Sequence, residues 1–228
     1  MSRAAIDTAV LDIDGTLLDS VYAHVWSWRE AFRVVGIAVP AYQIHRAIGM
    51  GGDRLVEAVT APAVERSVGD EIRALQSELY ADMSTHLTPT PGAGDLLEAL
   101  KSRGLHVVLA SSGSRDDTEK ALDVLETRSC VDATVSGDDA DATKPDSEPV
   151  RRAVDVIGGR RAVVVGDAVW DVESARRSGY PAWGVLTGGV ATSDLLDAGA
   201  AAVFEDPAGV ADGLDAALLD LEARGARP

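Results

Sequence analysis

Carboxylate side chains stand where two apolar stretches of the sequence end. The stretch AVLDIDGTLLDS, residues 9–20, carries Asp12 and Asp14 at the point where a buried strand should stop. Because neighbouring carboxylates raise each other's pKa unless a cation holds them, this pair predicts a site for Mg²⁺, which prefers hard oxygen ligands. The stretch VVVGDAVWD ends in Asp167 and, four residues later, Asp171, a spacing that brings both acids to one side of a starting helix. Taken singly, each acid has the alternative role of capping a turn or a helix.

Hydroxyl and ammonium groups follow in the same pattern. Ser111 comes directly after the apolar run LHVVLA, where its hydroxyl is placed to donate to a phosphoryl oxygen. Ser112 and Ser114 are more typical of caps for the helix that follows. Lys144 is one of only three lysines and lies in a loop before a helix, where it can neutralise a phosphate and a carboxylate. The alternative interpretation of Lys144 is an ordinary lysine exposed to solvent.

The strands and helices that must position these carboxylate, hydroxyl and ammonium groups indicate an α/β fold. Apolar runs without alternation are typical of parallel strands covered on both faces, and helical patterns separate them. This order predicts a doubly wound parallel sheet, in which reactive groups gather beyond the carboxyl ends of the strands. The predicted strands are TAVLDI, LHVVLA, DATV, RAVVVG, PAWGVL and AAVF.

One region lacks strands and predicts a second unit. Between about Val21 and His86 every periodic stretch favours a helix, and the segment TPTPGAG that follows suits a hinge. We therefore expect a small helical domain, residues 19–87, inserted into a core made of residues 1–18 and 88–228.

Composition excludes several classes of partner. The 228 residues carry a formal net charge of −16, which repels nucleic-acid backbones and anionic membrane surfaces. Cys130 is the only cysteine, so no intramolecular disulfide can form, and no apolar run reaches membrane-spanning length. Without a secretory leader pattern at the N-terminus, a cytoplasmic location is expected. A monomer and a homodimer are equally compatible with the sequence.

The ordered motifs resemble those of the haloacid dehalogenase superfamily of phosphatases. DIDGT is similar to the first motif, Ser111 to the second, Lys144-Pro145 to the third and GDAVWD to the fourth. The resemblance spans nearly the whole chain and implies a Rossmann-like core. The helical insert resembles the cap of the subgroup that contains phosphoglycolate phosphatase and beta-phosphoglucomutase.

The resemblance implies a reaction and a role for each motif residue. Asp12 would attack phosphorus and form an aspartyl-phosphate, and Asp14 would protonate the leaving oxygen and then activate water. Ser111 and Lys144 would bind the transferring phosphoryl group. The residues implied as holders of Mg²⁺ are Asp12, Asp14 through its backbone carbonyl, Asp167 and Asp171.

The sequence constrains the leaving group of the substrate less closely, so several hypotheses about the substrate and the reaction stay open. Residues considered for substrate binding are Thr16, His24, Gly51, Arg54, Ser112 and Gly113. Arg54 would suit a carboxylated ester such as phosphoglycolate, whereas His24 has a counterpart in beta-phosphoglucomutase. A small phosphorylated metabolite, phosphoglycolate-like or a sugar phosphate, is the expected substrate. A phosphosugar mutase and an inactive ligand-binding homologue are the alternatives.

Two other reactions of the family are disfavoured. Haloacid dehalogenases usually have an aromatic residue where this chain has Asp14. Phosphonoacetaldehyde hydrolases need a lysine in the cap for a Schiff base, and no lysine occurs between Leu18 and His86.

Overall fold

A computed structural model describes residues 5–139 and 143–225 of the chain. Within these residues all six predicted strands are present, and they form one parallel sheet in the order β3-β2-β1-β4-β5-β6. The strands are β1 (Thr8–Leu11), β2 (His106–Ala110), β3 (Ala133–Val135), β4 (Ala162–Gly166), β5 (Ala182–Val185) and β6 (Ala202–Phe204).

Strand register brings the chemically interesting residues to one edge of the sheet. Leu11, the last residue of β1, pairs with Leu109 on β2 and with Val165 on β4. The residues just beyond these positions therefore emerge side by side at the carboxyl ends of neighbouring strands.

Helices cover both faces of the sheet and confirm the doubly wound architecture. Alternate residues of β1 enter opposite cores, since Ala9 and Leu11 pack on one side and Val10 packs on the other. The first core is closed by α5 (Ala93–Ser102), α6 (Arg115–Leu125) and α10 (Pro207–Gly225). The second is closed by α7 (Glu148–Asp155), α8 (Val169–Ser178) and α9 (Thr192–Ala198).

The region between β1 and α5 is helical, as predicted, and has a hydrophobic core of its own. That core is built around Trp28, Phe32, Ile44, Leu55 and Ile72. Its helices are α1 (Val21–Val34), α2 (Ala41–Ala47), α3 (Gly52–Val59) and α4 (Pro62–Ser84).

The two chain segments that connect the helical insert to the sheet lie side by side. Leu18 bridges to Pro89, and the backbone N–H of Asp19 donates to the Thr88 carbonyl at 3.0 Å. The chain thus leaves and re-enters the core through two paired segments.

Three helices differ from the sequence expectation. Helix α4 begins at Pro62, six residues before its apolar periodicity becomes clear, because proline is favoured in the first helical turn. Helices α9 and α10 were not singled out, since α9 buries only Leu195 and the alanine-rich α10 shows little contrast between its faces. Among the described helices, none combines the length and the apolar character that crossing a bilayer requires.

Candidate active site

The ends of three strands and one loop converge on a buried polar cluster. Asp12 directly follows β1, Ser111 directly follows β2 and Asp167 directly follows β4, and all three side chains are buried. Lys144 reaches the same place from the loop before α7. The parallel register thus produces the gathering of groups that the sequence predicts.

Lys144 is an interior residue, which excludes the alternative of a solvated surface lysine. Its side chain is only 3% exposed, and its ammonium contacts Asp12 Oδ1 and lies 2.8 Å from Asp171 Oδ1. It also donates to the Ala110 carbonyl at 3.0 Å. Burial lowers the pKa of Lys144, but the two carboxylates outweigh this and shift that pKa above its ordinary value. The group is therefore a fixed positive charge beside Asp12.

Asp12, Asp167 and Asp171 form a carboxylate triad suited to a divalent cation. One oxygen from each lies within 4.8 Å of the others, and all three residues are buried. Burial, together with Asp171 and Asp14, raises the pKa of Asp12 to about 7 against the opposing effect of Lys144. Burial and the charges of Asp12 and Asp171 likewise raise the pKa of Asp167 well above its usual range. This excess of buried negative charge on hard oxygen donors fits Mg²⁺.

Two hydrogen bonds orient the triad. Thr16 Oγ1 donates to Asp167 Oδ1 at 3.1 Å, and the Ala168 N–H donates to Asp171 Oδ2 at 3.1 Å. Thr16 is completely buried, so the structure places it behind the triad rather than against a substrate. Such outer contacts fix the direction of metal-ligating oxygens.

Gly188, which the sequence did not single out, leaves room for Asp167. A Cβ atom at this position would lie 1.7 Å from Asp167 Oδ2. The only signal in the sequence is a glycine pair soon after a predicted strand. A side chain here would have to displace the carboxylate from the triad.

We therefore predict that Gly188→Ala weakens Mg²⁺ binding roughly 10–100-fold, the usual penalty for disturbing the support of a metal ligand. Isothermal titration calorimetry with Mg²⁺ measures this directly. The matched control is Gly94→Ala, where the nearest atom to the new Cβ is Thr127 Cγ2 at 3.5 Å. Equal Mg²⁺ affinity in the two variants would contradict the prediction.

Asp14 lies outside the triad and has its own set of partners. Ser20 Oγ donates to Asp14 Oδ1 at 2.6 Å, and His24 Nε2 lies 3.1 Å from the same oxygen. The His24 ring stacks on Tyr80 of α4 with 3.9 Å between centroids. Burial raises the pKa of Asp14, but the His24 and Ser20 contacts outweigh it, so the net shift is downward. Both contacts are made to Oδ1, so the second carboxylate oxygen of Asp14 has neither of these partners.

A cavity of about 320 Å³ opens between the helical insert and the sheet, and Asp12 and Asp14 lie on its wall. Ser112 and Gly113, which the sequence offered as substrate-binding residues, also line it. Ser112 Oγ donates to the Gly49 carbonyl of the insert at 3.1 Å, so this serine joins the two units instead of capping α6.

Ser114 takes the capping role. Its side chain accepts the N–H of Asp117 at 3.1 Å and thereby begins α6, as the sequence predicts for this serine. Gly113 donates its N–H to Ser111 Oγ at 2.9 Å, which fixes the direction of the Ser111 hydroxyl.

Two residues chosen from the insert lie outside the cavity wall. A Cβ on Gly51 would lie 2.2 Å from Thr143 Oγ1, so this glycine serves a close approach of insert and core. Arg54 has a side chain that is 54% exposed, and its nearest ionic partner is Asp53 at 4.0 Å. The arginine that does line the cavity is Arg73 on α4, which the sequence did not single out.

Two side-chain contacts join helix α2 of the insert to the core. His45 Nε2 lies 2.8 Å from the Gly188 carbonyl, and the Trp170 indole N–H donates to the Arg46 carbonyl at 3.0 Å. These contacts hold α2 of the insert against the first turn of α8 and against Gly188, which packs on Asp167, so the insert lies next to the triad.

Comparisons with known proteins agree with this geometry. Residues 6–179 match the family model described as haloacid dehalogenase-like hydrolase. A phosphoglycolate phosphatase of Cupriavidus necator is 31% identical over 181 residues, which cover 76% of this chain and 78% of that protein. A validoxylamine A 7'-phosphate phosphatase of Streptomyces hygroscopicus subsp. limoneus is 28% identical over 186 residues, with 78% and 85% covered. The crystal structure of a hydrolase from Pseudomonas syringae superposes with a TM-score of 0.87 at 32% identity, covering 92% of this chain and 98% of that one.

Proposed function

Because the chain belongs to the haloacid dehalogenase-like hydrolases and is a phosphoric monoester hydrolase of that family, we propose that it cleaves the phosphate ester of a small metabolite in a magnesium-dependent reaction through an aspartyl-phosphate. The relatives are named for different esters, so the proposal covers phosphoglycolate-like and sugar phosphates alike. The observation that carries it is the buried contact of Lys144 with Asp12, beside a triad suited to a cation.

The first half of the reaction uses Asp12 as the nucleophile. An Asp12 carboxylate oxygen forms a bond to phosphorus as the bond from phosphorus to the leaving oxygen breaks. Lys144, which contacts Asp12, and the Ser111 hydroxyl, which is buried at the end of the neighbouring strand β2, balance the negative charge on the phosphoryl oxygens. Mg²⁺, when bound by the carboxylate triad, supplies further positive charge that reduces the repulsion between carboxylate and phosphate.

The second half depends on Asp14. Asp14 takes up a proton as the anionic ester binds beside it, because the negative charge of the ester opposes the downward pKa shift of the free protein, and it passes this proton to the leaving oxygen in the first half. In the second half the Asp14 carboxylate removes a proton from the water that attacks the aspartyl-phosphate. Ser20 and His24 hold one of its oxygens, which leaves the other for the reacting proton. The cover provided by the insert keeps bulk water from competing with the intended proton transfers.

The proposal is tested by phosphate release from a panel of metabolite esters. With Mg²⁺ present we expect turnover, and chelation should lower it by roughly 10²–10³-fold, since the cation's stabilisation of transition-state charge is worth several kcal/mol. Undiminished turnover in chelator would contradict the metal dependence. If no ester in the panel released phosphate, the hypothesis of a hydrolase would be rejected.

A phosphosugar mutase remains the second candidate, and one contact favours it. His24 of the insert lies 3.1 Å from Asp14 Oδ1, so closure of the insert and the proton transfers at Asp14 are linked in space. A mutase returns the phosphoryl group to the sugar instead of to water. Isomerisation of beta-glucose 1-phosphate without phosphate release would support this candidate over the phosphatase.

Lys144→Met tests the fixed charge beside Asp12. We predict that kcat falls roughly 10²–10³-fold, as is typical when a preorganised electrostatic stabiliser is removed. The matched control is Lys101→Met, because Lys101 pairs with Asp132 at the end of α5, away from the site. A comparable loss in both variants, or none in Lys144→Met, would argue against the role given to Lys144. Thermal melting of both variants checks that the fold is retained.

A further inference from the structure

We infer that the alcohol released by this enzyme is a polyhydroxy compound without a carboxylate, and that α4 selects it. This inference rests on the proposed function and narrows its substrate class. The selecting surface, called here the α4 wall, consists of Arg73, Gln76, Ser77 and Tyr80. It faces the same cavity as Asp12 and Asp14, so a leaving group attached to the phosphate must lie against it.

The spacing of the α4 wall explains why these four residues act together. They recur at intervals of three and four residues, which places them on one side of a helix. Gln76 and Tyr80 are buried, and Gln76 Nε2 donates to Ser27 Oγ at 3.1 Å. The wall is therefore a fixed surface, and most of its polar groups are neutral amides and hydroxyls.

The one cation of the α4 wall is already neutralised. Arg73 Nη1 donates to Glu65 Oε1 at 2.8 Å and to Oε2 at 2.9 Å, and Nη2 donates to Asp70 Oδ1 at 2.6 Å. Two carboxylates thus face one guanidinium, and this cluster carries a net negative charge. A carboxylate on the substrate would have to compete with both acids for Arg73.

The rest of the cavity wall adds to this negative character. Beyond the reactive acids it includes Asp53, Asp117 and Asp138, and among the described lining residues Arg73 is the only arginine and no lysine occurs. Lys120 lies 3.6 Å from Asp117 Oδ1 and Arg54 lies 4.0 Å from Asp53 Oδ2, so these two charges are partly offset. A carboxylated leaving group would therefore enter a field of its own sign, which disfavours binding.

The neutral groups of the cavity suit hydroxyls. Gln76, Ser77 and Tyr80 of the insert and Ser112 and Ser114 of the core line the cavity with neutral amide and hydroxyl groups. The hydroxyls of Ser112 and Ser114 donate to Gly49 and Asp117, so towards a ligand these two serines act as acceptors. A cavity of about 320 Å³ also exceeds what a two-carbon acid fills, since it lies at the lower end of the range of ~300–1,000 Å³ typical of sites for drug-sized ligands. Size and charge thus favour the same class of leaving group.

The experiment compares esters that differ only at the group in question. One pair is hydroxyethyl phosphate and phosphoglycolate; the other is glycerol 3-phosphate and 3-phosphoglycerate. We expect kcat/KM to favour the hydroxymethyl member of each pair by at least about tenfold, which corresponds to 1.4 kcal/mol. Equal values, or a preference for the carboxylate, would overturn the inference.

A binding measurement separates this inference from the proposed function. The Asp12→Asn protein with Mg²⁺ is titrated with the same pairs by calorimetry, so the preference is read without turnover. Failure of every ester to release phosphate would reject the hydrolase, whereas the ratio of dissociation constants still decides the substrate class. A ratio near one would overturn the inference even in an active phosphatase.

Two variants of the Arg73 cluster give opposite expected shifts. Glu65→Gln with Asp70→Asn releases the guanidinium, so the preference against the carboxylate should shrink several-fold. Arg73→Gln leaves both acids uncompensated, so that preference should grow. If Arg73 bound a substrate carboxylate, Arg73→Gln would instead lower kcat/KM for the carboxylated ester, which would overturn the inference. Glu30→Gln is the matched control, because Glu30 pairs with Arg33 at 2.7 Å on an exposed part of α1.

Discussion

Phosphate release is expected to fall on the order of 10⁴–10⁶-fold when Asp12 is replaced by asparagine, the range seen when a nucleophile or its direct partner is removed from an enzyme. The amide keeps the shape of the side chain but cannot form a stable acyl-phosphate as a carboxylate does. Lys144 keeps its contact with Asp171 at 2.8 Å, so the charge balance of the buried cluster is only partly disturbed. The variant should therefore fold and bind the ester without turning it over.

Steady-state phosphate release and mass spectrometry of the protein measure this effect. The native enzyme, stopped with acid during turnover, should carry one added phosphoryl group, and Asp12→Asn should carry none. Asp19→Asn is the matched control, since Asp19 belongs to the same loop but is exposed. A phosphorylated Asp12→Asn protein would show that another residue is the nucleophile.

Asp14→Asn is expected to lower kcat/KM for alkyl phosphates roughly 10²–10⁴-fold, the usual contribution of a general acid or base. The alkoxide of such an ester leaves poorly unless Asp14 supplies a proton. The native carboxylate is held by Ser20 at 2.6 Å, and asparagine retains an oxygen for this contact. The loss should thus come from the missing proton transfer and not from a displaced side chain.

The leaving group provides the control for this second variant. Nitrophenolate needs no proton to depart, so Asp14→Asn should still release about one equivalent of nitrophenol per enzyme from nitrophenyl phosphate in a rapid burst. Hydrolysis of the aspartyl-phosphate would then be slow, because water has lost its base. Equal losses for alkyl and nitrophenyl esters, without a burst, would contradict the role of Asp14 as the proton donor.

The sheet and its reactive edge were predictable from local sequence. Strands buried on both faces must be apolar throughout, so runs such as VVVG stand out against the helices between them. Each motif residue lies within two residues of such a run or in a loop just before a helix, and parallel pairing then forces the groups together. This explains why Asp12, Ser111, Lys144 and Asp167 were identified before their distances were known.

The residues that serve these groups were harder to find. Ser20 and Gly188 belong to none of the recognised motifs. Ser20 acts through its hydrogen bond to Asp14, and Gly188 acts through its close approach to Asp167. A serine hydroxyl or a missing Cβ is too common in sequences to indicate such a contact. Only the folded backbone shows which oxygen the group approaches.

The sequence by itself determined the fold class, the carboxylates at the strand ends, the lysine beside them and the existence of a helical insert, because these follow from patterns within a few residues of the chain. The tertiary structure decided which face of each insert helix meets the cavity. Arg54 and Arg73 look alike in the sequence, yet packing of α3 and α4 turns the first to solvent and the second to the cavity, where Glu65 and Asp70 hold it. Helix rotation is set by the whole hydrophobic core of the insert, so the wall that selects the substrate is a property of long-range packing.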